Sequence, residues 1–209
     1  MTNSKSLIAY FSRRGNNYVG GSIVNLPMGN TEVVANTIQE LTGSDMFEIE
    51  TVKSYPKDYT ETTNVAKKIQ ELTGSDMFAI ETVKSYPKDY TETTNVAQDE
   101  LRKNTRPELT EKVEDMDSYD VIYIGYPNWW GTMPMAVYTF LESYDFSGKT
   151  IIPYCTHEGS GLGQSVRDIK KLCPNSRVLD GLAIKGGSVN RTQNDVSAWL
   201  HKLGISDKK

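Results

Sequence analysis

The chain has 209 residues, 37% of them hydrophobic and 24% charged, and Lys+Arg at 23 against Asp+Glu at 27 gives a net charge of −4. That composition suits one globular domain with room for a core that needs no disulfide or metal. It lacks the basic surface that displaces counterions from nucleic acid, and no apolar run reaches membrane-spanning length, so neither partner is expected.

Leu7–Phe11 opens the pattern as a continuous apolar run, the mark of a strand buried on both faces. The short stretch Met1–Ser6 before it does not read as a signal peptide. Ser12-Arg13-Arg14-Gly15-Asn16-Asn17 follows, then the detour YVGGSIVNLPM, then Gly29-Asn30-Thr31. Hydroxyl and amide side chains at a strand-to-helix turn, beside free N–H groups at a helix start, make an anion cradle. No Gly-Lys-Ser/Thr is present, so the turn is not a Walker loop. Of Arg13 and Arg14, one is expected to face the site. Val34, Ile38 and Leu41 share one face of the first helix, which Asn30 or Thr31 caps and Gly43 stops.

The next stretch is a repeat. Ile38–Ala66 recurs as Ile69–Ala97 at an offset of 31 residues, and only Glu48 against Ala79 differs. Two copies are too few for a solenoid, so this is a tandem duplication inside one domain spanning 1–209, with 67–97 as the duplicated insert. Each copy reads as a helix end (IQELTG), a strand (Met46–Val52, Met77–Val83) and a polar, Tyr-rich loop. Two ordered copies give a six-stranded sheet; the alternative is that one loops out. A Glu is cheap on a rim and an Ala suits an interior strand, which places Met77–Val83 inside and Met46–Val52 at the edge. Tyr55, Tyr59, Tyr86 and Tyr90 read as loop packing, or alternatively as the lining of a substrate pocket.

Three more strand-like runs follow, Val121–Gly125, Thr150–Cys155 and Arg177–Ile184, alternating with helical patterns at Pro134–Tyr144, Leu162–Cys173 and Asn190–Leu203. Strands alternating with helices predict an α/β fold with a parallel sheet covered on both faces. Ligands then bind beyond the carboxyl ends of the strands. After the 121–125 strand stands Tyr126-Pro127-Asn128-Trp129-Trp130-Gly131-Thr132, in which adjacent tryptophans point to opposite sides. One of them, or both, offers a flat apolar face to a planar ligand. After the 150–155 strand stands Thr156-His157-Glu158-Gly159-Ser160-Gly161-Leu162-Gly163, whose glycines let backbone approach a ligand closely. No strand–Ser–helix elbow makes Ser160 a nucleophile, and Cys155 and Cys173 sit at no metal spacing, so no metal and no catalytic side chain are expected. Reduced thiols point to a cytoplasmic setting.

Together the three loops call for a phosphate, a planar ring and hydrogen bonds to the ring's edge. YFSRRGNN with GNTEVVA resembles the phosphate loop of the flavodoxin-like family, GYPNWWGTMPMAV its ring-stacking loop, and CTHEGSGLGQS its third flavin loop. The resemblance implies a three-layer, doubly wound sheet of order 2-1-3-4-5, here extended by the duplicated edge strand, with one FMN at its carboxyl edge. It assigns Ser12, Arg14, Gly15, Asn16, Asn17, Asn30 and Thr31 to the phosphate. Pro127, Asn128, Trp129, Trp130, Gly131 and Thr132 would flank the ring, and Thr156, His157, Glu158, Gly159, Ser160, Gly161 and Gly163 would meet its edge. Arginines stand where many relatives have Thr or Ser, so guanidinium contacts replace hydroxyl ones. The function implied is a low-potential electron carrier serving redox proteins or small acceptors, as a monomer or weak dimer. The alternatives are an NAD(P)H-dependent reductase of quinones or other small acceptors on the same fold, and a binding module with an empty site. Removing Lys67–Ala97 is expected to leave FMN binding intact, because all three loops lie outside that segment.

Overall fold

The structure, a computed structural model, describes residues 5–49, 77–80, 86–87, 89–109, 111–191 and 193–205. Its centre is a parallel sheet. Strand β1 (Ser6–Phe11) lies between β4 (Asp45–Ile49) and β6 (Val121–Pro127). Beyond β6 come β7 (Thr150–His157) and then β8 (Arg177–Val178) and β9 (Leu182–Lys185), which both pair with β7. At the opposite rim β5 (Met77–Ile80) pairs with β4. The order β5-β4-β1-β6-β7-β8/β9 is the predicted doubly wound sheet with one added edge strand.

Period-two alternation sorts the side chains onto two faces. Leu7, Ala9 and Phe11 of β1 join Ile122, Ile124 and Tyr126 of β6 on one face. Helices α2 (Tyr90–Lys103), α3 (Met135–Glu142) and α4 (Ser165–Leu172) belong to that side, with Phe140 and Ile169 wholly buried there. Ile8 and Tyr10 face the other way, against Val34, Ala35 and Ile38 of α1 (Asn30–Thr42) and Val196 and Leu200 of α5 (Gln193–Lys202). The α1 stop falls where expected: Gly43 is left-handed at φ 64 and its N–H reaches the Gln39 carbonyl at 2.7 Å.

Four elements differ from the sequence reading. The detour after β1 is an antiparallel hairpin, β2 (Gly15–Val19) and β3 (Ser22–Leu26), closed by Gly20 and Gly21 at φ 59 and 96. Positive φ at both turn positions matches the strand twist, which is why a Gly-Gly pair closes it. In the Tyr-rich stretch of the second copy, Tyr86, Pro87 and Asp89 lie outside regular structure, and Tyr90 begins α2. Asp89 caps the helix by accepting from the Glu92 N–H at 2.9 Å, and Arg102 and Lys103 close it against the dipole. The Arg177–Ile184 run divides into β8 and β9 around Leu179–Gly181.

The fourth difference concerns the duplicated strands, which are placed in the reverse of the expected order. Met46 and its neighbours lie inside, against β1, and the second copy forms the rim. Glu48 does not need an exposed edge, because the Arg14 guanidinium meets its carboxylate at 3.1 Å. Arg14 also grips Glu32 of α1 through two bonds of 2.8 and 2.7 Å. A buried carboxylate is tolerated when a cation and hydrogen bonds replace its water. Residues 81–83 of the expected second strand, and the first-copy stretch that includes Tyr55 and Tyr59, lie outside the described residues.

The strand register sets one row across the sheet, Glu48, Tyr10, Gly125 and Tyr154. Tyr10 and Tyr154 are fully buried, and burial first, then the Glu48 charge, holds both phenols well above their ordinary pKa. Gly125 is where this row is tightest, since an added Cβ would stand 2.1 Å from the Tyr154 ring. Gly125→Ala is therefore expected to destabilise the fold by about 1–3 kcal/mol through overpacking. A lower urea midpoint with unchanged m-value would show it; an unaltered midpoint would mean that Tyr154 has room to move.

Candidate functional site

Beyond the carboxyl ends of β1 and β6 opens a cleft of about 320 Å³, lined by Arg13, Asn17, Tyr90, Thr93, Thr94, Ala97, Asn128, Trp129 and Trp130. That volume lies in the range of small-molecule sites, roughly 300–1,000 Å³. Three segments build it: the turn after β1, the turn after β6, and one side of α2.

The turn after β6 holds the two tryptophans apart. Trp129 exchanges backbone hydrogen bonds with Thr132 at 2.8 and 3.1 Å, while Trp130 and Gly131 occupy the corner at φ 53 and 84. Two successive positive φ values define a type I′ turn, and a tryptophan there is strained. The compensation is visible: the Trp130 indole N–H donates to the Thr94 carbonyl at 3.0 Å, and the residue stays 52% exposed at the cleft. Trp129 turns the other way, edge-on to Phe11 at 5.4 Å and Tyr86 at 5.2 Å. One tryptophan thus floors the site and the other presents a face to it.

Asn128 ties this turn to the one after β7. Its side chain accepts from the Gly131 N–H at 3.1 Å and donates to the Gly161 carbonyl at 2.9 Å. The Cys155 thiol donates to the same carbonyl, and burial pushes its pKa up to about 12, so it stays a thiol. Gly163 lies so close to Gly131 that a Cβ would meet the Gly131 carbonyl oxygen at 2.2 Å. At Gly159 and Gly161, by contrast, a Cβ would project into open space.

At the turn after β1, Ser12 Oγ accepts from the Glu32 N–H at 3.1 Å and Glu32 accepts from the Gly29 N–H at 3.3 Å. Val33 N–H reaches the Gly29 carbonyl, so the first-turn N–H groups of Asn30 and Thr31 are those that the helix itself leaves over. Asn17 spans the turn by donating to the Arg13 and Gly15 carbonyls.

Of the residues assigned from sequence, Asn17, Asn128, Trp129 and Trp130 line the cleft. Arg14 points to Glu32 and Glu48 instead, and Arg13 is the arginine at the cleft. Gly15 begins the hairpin and Asn16 meets Asn25 across it. Thr31 and Thr156 join hydroxyls at 2.8 Å, tying α1 to β7. Thr132 is buried, donating to the Asp168 carboxylate at 2.8 Å. Pro127 ends β6 beside Thr156. His157 accepts from the Gly159 N–H through Nδ1; burial lowers its pKa, with the Glu158 charge opposing. Glu158 accepts from Gly20 at the hairpin tip, and Ser160 is exposed. Tyr90, read from sequence as loop packing or alternatively as pocket lining, lines the cleft, whereas Thr93, Thr94 and Ala97 were missed as site residues because their helix was read as loop. The signal was the Asp89 cap followed by Thr93, Ala97 and Leu101 at helical spacing.

Tyr90 lies within 67–97, so the deletion expectation needs restating. Excising 67–97 or 50–80 yields the same sequence, in which the first copy's Tyr59, Thr62, Thr63 and Ala66 take the places of Tyr90, Thr93, Thr94 and Ala97.

A parallel doubly wound sheet with a cleft at its carboxyl edge, walled by an aromatic turn and a helix start, defines an α/β protein with an opening where folds of this class take their ligands. Residues 58–203 match the family model described as Flavodoxin, and the chain belongs to that family. Among solved structures it is similar to a Bacteroides eggerthii DSM 20697 protein assigned as a flavoprotein. Identity there is 25% over 98% of this chain and 100% of that one, with a TM-score of 0.64. It shares its fold with a protein from Bacteroides uniformis ATCC 8492 likewise assigned, at 24% identity, 95% and 98% coverage and a TM-score of 0.60. The apo-form flavoprotein of Lactobacillus acidophilus NCFM shares it at 17% identity, 91% and 98% coverage and a TM-score of 0.53. No curated protein matches the sequence.

Gly163→Ala tests the junction of the two loops. It is expected to cost about 1–3 kcal/mol, since it adds both a left-handed alanine and a backbone collision. A drop in the urea midpoint is the expected result, and unchanged stability would show that the loops are free to separate.

Proposed function

We propose that the cleft binds FMN and that the protein works as a low-potential electron carrier. The fit rests on the chain's own groups. The spare N–H groups of Asn30 and Thr31 lie at the positive end of α1, where a phosphate is favoured. Arg13 adds a cation at the cleft, and the exposed Trp130 ring gives a planar ligand one dry face. Gly159 and Gly161 leave open space where any other residue would put a Cβ. When bound, FMN supplies the electron chemistry, and the protein supplies binding, orientation and exclusion of water.

The observation that carries the reading is the lining itself: Arg13, Asn17 and Asn128 stand with Trp129 and Trp130 around one cleft, cationic and amide groups beside flat rings, which suits an anionic planar ligand. Membership of the Flavodoxin family favours the carrier role. Redox proteins or small acceptors are the partners on this reading, and a monomer or weak dimer in the cytoplasm is its setting. Tyr90 and Thr94 at the cleft favour the second reading, direct reduction of small acceptors by NAD(P)H, because they extend the cavity past the tryptophan turn.

Titration with FMN, followed by flavin fluorescence, is expected to show stoichiometric quenching. Trp130→Ala should weaken binding by roughly 1–3 kcal/mol, about fivefold to 150-fold, on the scale of aromatic stacking. The 31-residue deletion should bind as the full chain does. A folded protein that does not quench FMN would overturn the cofactor assignment, and steady turnover of NADPH with a quinone by the pure protein would overturn the carrier role in favour of the reductase.

A further inference from the structure

We propose that Trp129, Tyr86 and Glu100 form a relay that draws an oxidising charge out of the cleft. The electron vacancy passes from the Trp129 indole to the Tyr86 phenol, and the phenol's proton passes to Glu100. Trp129 lines the cleft, and its ring meets the Tyr86 ring edge-on at 5.2 Å. That spacing is direct ring contact, and electron transfer is fastest between groups in contact. Phe11 also meets Trp129, but a phenyl ring is far harder to oxidise than a phenol.

Glu100, on α2, makes the second step favourable. An oxidised phenol that keeps its proton is a strongly acidic cation, so a tyrosine gives up an electron readily only when the proton leaves with it. The Tyr86 hydroxyl donates to Glu100 Oε2 at 2.5 Å, the length of a charge-assisted bond, so the acceptor is already in place. Burial first, then the Glu100 charge, raises the phenol's pKa, and it therefore holds its proton until an electron is removed. A one-electron oxidant in the cleft takes one electron from Trp129. Trp129 takes one from Tyr86, and the Tyr86 proton moves onto the Glu100 carboxylate. The products are a neutral tyrosyl radical, Glu100 as a carboxylic acid, and Trp129 restored at the floor of the cleft. A light-excited flavin is the class of oxidant that fits, and that choice alone rests on the proposed function. The duplication supplies two such tyrosines but one such carboxylate. Glu100 lies just beyond the repeated Ile69–Ala97, 14 residues after Tyr86, whereas the residue at that spacing from Tyr55 is Ile69.

The test is pulse radiolysis of the full chain without flavin, using azide radicals, which oxidise tryptophan and are small enough to enter the cleft. Decay of the indolyl radical absorbance should be matched by delayed growth of the tyrosyl band. Tyr86→Phe should lose one component of that growth, Trp129→Phe should lose the same component, and the double variant should lose no more. Glu100→Gln keeps an acceptor oxygen on the phenol but takes up no proton, and it should lose the component too. In the parent chain heavy water should slow it, a readout that needs no variant. Losses that add in the double variant, a component undiminished in Glu100→Gln, or an unchanged rate in heavy water would overturn the relay. Those results in a chain that still quenches FMN would strike the relay and leave the cofactor. An intact component in a chain that does not quench FMN would uphold the relay and strike the flavin as its oxidant.

Discussion

A guanidinium held between two carboxylates is the contact on which the rest of this site depends. Arg14 belongs to the turn after β1, Glu32 to the first turn of α1, and Glu48 to the strand beside β1. Each carboxylate is largely removed from water, and neither would be stable there without the cation. The three charges bring strand, turn and helix to one point. They also fix which arginine the turn directs at the cleft: Arg14 faces Glu32 and Glu48, while Arg13 and Asn17 line the cleft.

Around that point the cleft is assembled by small, constrained devices rather than by a deep cavity. A type I′ turn throws Trp130 outward and Trp129 inward, and the bond from Trp130 to Thr94 anchors the turn to α2. Asn128 couples this turn to Gly161, so two loops from different strands hold one geometry. The hairpin reaches both sides of the site, with Tyr18 stacked on Tyr90 and Gly20 bonded to Glu158. Loops alone would be mobile, but cross-bracing of this kind keeps a binding surface formed before the ligand arrives.

The sheet was legible because a strand buried on both faces leaves a continuous apolar run. β1, β6 and β7 were found from such runs, and α1 from its spacing and its Gly43 stop. Trp129 and Trp130 were legible as a divided pair because neighbouring side chains must diverge. The hairpin was not, since GNNYV and SIVNL carry no buried stripe; Ile23 and Val24 are 52% and 40% exposed. Helix α2 was hidden by its polarity, as few of its residues are buried. The direction of Arg14 was out of reach because its partners lie 18 and 34 residues away.

By itself the sequence determined the layered α/β architecture, the three loops and the position of the ligand edge, since periodicity and local turn chemistry act over a few residues. Tertiary structure alone decided which arginine faces the cleft, which helix walls it and which copy of the repeat lies inside. Those choices depend on charges and surfaces that meet only after the sheet has formed. Glu48 shows the difference most plainly: read alone, a carboxylate suits an exposed rim, yet beside Arg14 it suits the interior.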